Sequence, residues 1–140
     1  MAKQGSEEWM KLTQDDLLLM SALEKISGVT PKDCIVNNNS IAYLVKEHDV
    51  GRAIGKNAQS VKELEKRLGK KIEIYGYGEK PEEMIAKALK VKFASATTKG
   101  GKIFIMLDGM EKKKLFGNMG RMRTIKEFVE RNYGLEAVVL

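Results

Sequence analysis

The order of local signals along this chain runs through once and then repeats, and that duplication restricts the fold more than any other feature. In the first half, Thr13 followed three residues later by Asp16 has capping-box spacing. Leu17, Met20, Leu23 and Ile26 form an apolar stripe, and Gly28 stops the helix. Strand runs at Asp33 to Val36 and Ile41 to Lys46 flank the turn Asn37-Asn38-Asn39-Ser40, where asparagine tolerates left-handed geometry. Asp49 to Ile54 reads as a short helix and Gly55-Lys56-Asn57-Ala58 as an interruption. Val61, Leu64 and Leu68 mark a second helix closed by Gly69, and Lys71 to Tyr75 reads as a strand.

The second half follows the same order. Pro81 with Glu82 and Glu83 opens a helix continued by Met84, Ile85, Ala88 and Leu89. Strands at Val91 to Thr97 and Lys102 to Leu107 flank Thr98-Lys99-Gly100-Gly101. Met110 to Phe116 forms a short helix and Gly117-Asn118-Met119-Gly120 a glycine-bounded loop. Met122, Ile125, Phe128 and Val129 supply a core face, Gly134 ends that helix, and Leu135 to Leu140 is a last strand. The pattern predicts an α+β chain of two α-β-β-α-α-β units, each a three-stranded sheet covered by helices. The boundaries fall at 1–12 (a polar, frayed lead-in apart from Trp9 and Met10), 13–77 and 78–140, with Gly76-Tyr77-Gly78 as a plain turn at the join.

Charge narrows the partners. With 25 Lys and Arg against 19 Asp and Glu, the chain carries +6, which favours polyanions because basic surface releases counterions from phosphates. The single cysteine, Cys34, makes no internal disulfide and reads as a small buried strand residue; no Cys/His cluster has zinc-ligand spacing. The first residues lack the apolar run of a signal peptide and nowhere do about 18 consecutive apolar residues occur, so the expectation is a cytoplasmic protein that does not span a membrane. His48 beside Asp49 lacks a nucleophile or second histidine to complete a catalytic set. The chain is expected to be no enzyme, to need no cofactor or metal and to take no small-molecule substrate.

The joints between paired helices carry the functional signal. Glycine permits a sharp turn and removes side chains that would hold a sugar-phosphate backbone away, while helix N-terminal N–H groups face the anion. Lys56 adds a charge-assisted contact. On the tetrapeptide alone, a helix stop with a solvated lysine is the simpler reading; its place at the joint of two helices, with a comparable glycine loop in the second half, favours the phosphate reading. Lys62, Lys66, Arg67, Lys70 and Lys71 follow the first loop, and Lys112, Lys113, Lys114, Arg121, Arg123 and Lys126 surround the second. Either group reads as a solvated face or an electrostatic track, with Glu63, Glu65 and Glu127 weakening the field. Ile54, Val61 and Ile72 are assigned mainly to packing, as are Met106, Met110, Met119 and Met122.

The segment Gly51-Arg52-Ala53-Ile54-Gly55-Lys56-Asn57-Ala58-Gln59-Ser60-Val61-Lys62 closely resembles the signature of KH domains, whose Gly-x-x-Gly loop clamps four nucleotides of a single strand. Two such units filling residues 13 to 140 resemble the archaeal NusA-like transcription elongation and termination factors. That resemblance implies two tandem type II KH folds, single-stranded RNA as partner and RNA polymerase nearby. It also implies RNA contacts at Arg52, Ile54, Gly55, Lys56, Asn57, Ala58 and Lys62, and in the second unit at Gly117, Asn118, Met119, Gly120, Arg121 and Arg123. Two departures stand out. The fourth loop position is Ala58 instead of glycine, a modest obstacle if its dihedrals are helical. Aligning Val61 with Ile125 and Leu64 with Phe128 puts Met119 opposite Gly55, two residues out of step, and the second loop holds no lysine. These departures keep open an alternative, a KH fold that docks on RNA polymerase or the ribosome and touches RNA little.

Overall fold

Each repeat closes on itself as a three-stranded sheet packed with helices. The computed structural model describes residues 14–140; the first unit ends at Tyr77 and the second runs from Gly78 to Leu140. In the first unit, α1 (Gln14–Ser27) stops at Gly28, where φ is +76°. The hairpin of β1 (Asp33–Val36) and β2 (Ser40–Lys46) is antiparallel, and β3 (Lys71–Tyr77) lies parallel to β2 on its other side. Between β2 and β3 come α2 (Val50–Ile54) and α3 (Gln59–Leu68), which make the crossover a parallel pair requires.

The core of this unit gathers Leu23, Val29, Cys34, Ile41, Tyr43, Val45, Ala53, Leu64 and Ile72, so Cys34 is buried as its strand position implied. Ile41, Tyr43 and Val45 alternate along β2 and therefore share one face. Tyr43 Oη donates to the Leu19 carbonyl at 2.7 Å, and burial pushes its hydroxyl pKa well above the usual phenol range. The stripe on α1 is narrower than its leucines suggest. At 3.6 residues per turn Leu17 lies about 120° around the helix from Leu23, and it is 53% exposed. Asp16 faces inward instead, with its carbonyl oxygen 3.8 Å from Cys34 Sγ. Thr13, the other half of the capping box, lies outside the described residues, as do Trp9 and Met10.

The second unit repeats the topology. α4 (Pro81–Leu89) starts with proline in its first turn, and β4 (Ser95–Lys99) and β5 (Lys102–Met106) form the hairpin. α5 (Gly109–Phe116) and α6 (Met119–Tyr133) lead to β6 (Glu136–Val139), parallel to β5. The hairpin is tighter than its sequence indicated. Its two central residues are Gly100 and Gly101, both at positive φ (60° and 76°), as a two-residue primed turn needs. Residues 91–94 form no strand, because the Lys92 N–H donates to Glu111 Oε1 at 2.7 Å. The Glu111 backbone N–H in turn donates to Asp108 Oδ1 at 2.9 Å and caps α5.

Tyr133 Oη donates to the Gly78 carbonyl at 2.6 Å and accepts from the Gly78 N–H at 3.2 Å, tying the start of the unit to the end of α6. Only one of the four methionines assigned to packing is inside. Met122 is buried, whereas Met106, Met110 and Met119 are exposed; strand alternation puts Met106 on the face opposite Ile103 and Ile105. Among the described residues no helix is long and apolar enough to cross a membrane.

Candidate nucleic-acid interface

The first joint is a glycine-type turn built over a close strand approach. After β2 a single 3-10 turn, Glu47–Asp49, feeds directly into α2. Gly76, which belongs to β3 and not to a turn at the join, passes so near that an added Cβ would lie 2.9 Å from Val50 Cγ2 and 3.2 Å from Glu47 Cα. Glycine in that strand therefore sets where α2 begins. At the other end of α2 the Gly55 N–H donates to the Gly51 carbonyl at 2.9 Å, and the Ala58 N–H donates to Gly55 O at 3.0 Å.

Three residues of the turn have positive φ: Gly55 (83°), Asn57 (56°) and Ala58 (59°). Asparagine accepts this region, alanine pays about 1–2 kcal/mol for it. Ala58 is thus not in right-handed helical geometry. The backbone retains the conformation a glycine would take there, and the methyl is strained.

Around the turn, Lys56 and Asn57 are exposed, Ile54 is half-buried and Ile72 is buried in the core. Arg52 is not free: its Nη2 lies 3.4 Å from Asp49 Oδ1, and His48 Nε2 approaches the same carboxylate at 3.6 Å. Lys56 and Lys62 have no carboxylate partner among the described residues. Glu65 reaches across to accept the Ile72 N–H at 3.1 Å, so that donor on the edge of β3 is already taken. The i,i+3 spacing of Asp49 and Arg52 signals their ion pair in sequence; the contact between Glu65 and Ile72 has no local signal, because it joins a helix to the following strand.

The second joint is built differently. Gly117 has right-handed dihedrals (φ −74°, ψ −3°), and Gly120 lies within the first turn of α6. The connection is two residues, 117 and 118, where the first joint has four. Its N–H groups are spent inside: Gly117 donates to Lys113 O at 3.3 Å and Asn118 to Leu115 O at 2.9 Å. Met119 and Arg123 are exposed, while Arg121 is half-buried and its Nε has no hydrogen-bond partner among the described residues. Phe116, 69% exposed, stands beside the joint, and a groove of about 350 Å3 runs from it past Met119 and Met122 to Val138 and Leu140. In sequence Phe116 is only the last residue of a short helix, and nothing local marks it as exposed.

Charge is divided unequally. Residues 78–140 hold 13 Lys and Arg against 8 Asp and Glu, whereas residues 1–77 hold 12 against 11. The positive excess lies in the unit without the glycine-type turn.

Residues 19–79 match the KH domain family. The first unit is a KH domain. The second unit repeats the KH element order and sheet topology, so the fold is two KH units in tandem. The chain is similar to proteins named "Probable transcription termination protein NusA". The one from Methanocaldococcus jannaschii is 40% identical over 70 residues, covering 50% of this chain and 38% of that protein. That from Methanococcus vannielii is 36% identical over 76 residues (54% and 44%), and that from Halococcus morrhuae 28% over 82 residues (57% and 59%). The matches thus span less than two thirds of these relatives. The crystal structure of APE1850 superposes with a TM-score of 0.77 at 29% identity, covering 92% of this chain and 100% of the other.

Proposed function

We propose that this protein binds single-stranded RNA at the first joint and acts, without catalysing a reaction, in transcription elongation or termination near RNA polymerase in the cytoplasm. The observation that carries the reading is the turn itself: positive φ at Gly55, Asn57 and Ala58, with Lys56 exposed at its crest and without a carboxylate partner among the described residues. A phosphate backbone approaches such a turn closely, and the N-terminus of α3, starting at Gln59, directs its dipole toward the anion. Lys56 and Lys62 supply charge-assisted contacts, Arg52 joins them on leaving Asp49, and Ile54 offers apolar surface to a base. The role in transcription follows the names of the relatives and the KH assignment of residues 19–79.

The test is binding of the full chain to short single-stranded RNA, matched DNA and duplex RNA at two salt concentrations. Preference for single-stranded RNA, with a salt slope of roughly 0.7 per phosphate contacted, supports the clamp. No binding at low salt removes it.

A second reading concerns the second unit. Exposed Phe116 and Met119 flank a joint that lacks positive-φ glycines, which suits an apolar protein partner better than a phosphate backbone. Gly117, Asn118, Gly120, Arg121 and Arg123 would then contribute little to RNA affinity. Co-purification with RNA polymerase or ribosomes that survives nuclease treatment, and is lost in Phe116→Asp, supports this reading; loss on nuclease treatment alone returns the second joint to RNA.

A further inference from the structure

Resting on the RNA reading of the first joint, we infer that a phosphate track continues from the turn along the solvent face of α3, so that RNA longer than the four nucleotides one KH unit holds passes Lys62 and lays its next phosphate on Lys66.

The track starts at the crest of the turn. Lys56, Asn57, Gln59, Lys62, Glu63 and Lys66 line one shallow, open depression. From Gln59 the positions i, i+3, i+4 and i+7 fall on one side of the helix, and Lys66 lies one turn beyond Lys62, about 6 Å along the axis. That advance is of the order of one phosphate step in an extended strand.

Glu63 would be expected to weaken this field, but it does not stand alone. Its Oε2 lies 3.0 Å from Arg67 Nη2, one turn on, so the pair is neutral at a distance. Lys56, Lys62 and Lys66 have no carboxylate partner among the described residues and dominate the depression. Lys62 and Lys66 also repel each other as like charges at i,i+4, a cost to the free helix that a bound phosphate relieves.

The second unit supplies the control. The alignment that pairs Val61 with Ile125 and Leu64 with Phe128 also pairs Lys62 with Lys126, Glu63 with Glu127 and Arg67 with Arg131. The acid–arginine ion pair recurs there between Glu127 and Arg131. Lys66, however, is matched by Glu130, and Lys56 by Gly120. The row of three lysines at positions 56, 62 and 66 thus belongs to the unit that has the glycine-type turn.

The test compares random-sequence tetranucleotide and octanucleotide RNA binding to the full chain between roughly 50 and 200 mM salt. Lys66→Gln is expected to weaken the octamer several-fold and reduce its salt slope by about 0.7, leaving the tetramer unchanged. Glu63→Gln, which releases Arg67 onto the same face, is expected to strengthen the octamer and steepen its slope. A Lys66→Gln chain with native melting that lowers both oligomers equally, or neither, overturns the track while tetramer binding keeps the joint. Failure of the tetramer itself to bind the wild-type chain overturns the joint reading, and the track with it.

Discussion

A β-carbon added to Gly55 would sit 2.8 Å from Ser60 Oγ and 2.9 Å from the Ser60 backbone nitrogen. The first residue of the turn is thus packed against the first turn of α3, and the backbone atom has no room to yield. With φ at +83°, Gly55→Ala combines this clash with a conformation that L residues avoid. The expected loss is about 2–4 kcal/mol of first-unit stability, measured by urea denaturation, with weakened RNA binding at temperatures where the variant remains folded.

Ala58 and Gly120 are opposite cases. Ala58→Gly relieves a left-handed alanine and is expected to stabilise by about 0.5–1 kcal/mol, after the added freedom of the unfolded chain is counted. Gly120 sits in a helix with open space where a Cβ would go, so Gly120→Ala is expected to stabilise by a similar amount, about 0.5–1 kcal/mol. A loss of stability in either variant would contradict the backbone geometry of that joint.

Lys56→Asp combined with Asn57→Asp places two negative charges on the crest of the turn, where both side chains are exposed. Aspartate tolerates the left-handed region, so melting should stay within about 0.5 kcal/mol of wild type. RNA affinity at low salt is expected to fall at least tenfold, and unchanged affinity for several RNAs would defeat the assignment of this turn.

Glu111 makes the second unit sensitive to acid. The hydrogen bond from Lys114, at 2.8 Å, and the Lys92 N–H hold its carboxyl below the usual carboxylate range. Because the folded pKa is depressed, the stabilisation is fully present above the unfolded value of roughly 4.3 and is lost as pH falls through the folded one. Glu111→Gln is expected to lower stability at neutral pH and to flatten the acid limb below about pH 4.5, read from melts of the second unit as a function of pH.

The element order, the division near residue 77 and the glycine stops at Gly28, Gly69 and Gly134 follow from local patterns, since each rests on contacts within a few residues of sequence. The four-residue turn at Gly55 was legible for the same reason. The conformation of its fourth residue was not: nothing in Gly-Lys-Asn-Ala dictates that Ala58 takes φ +59°. That follows from where α3 must start for Leu64 to reach the core below Ala53 and Ile72.

Gly117-Asn118-Met119-Gly120 looks like the better glycine loop in sequence, yet it folds as a two-residue joint. Met122, Ile125, Phe128 and Val129 seat α6 in its core, and the helix extends back through Gly120, which draws that glycine into right-handed geometry. Local composition determined that two helices meet at residues 55–58 and again near 117–120. Tertiary packing decided which of those meetings is an open turn at positive φ and which is a closed joint, because glycine permits both conformations and only the anchoring of the following helix selects one.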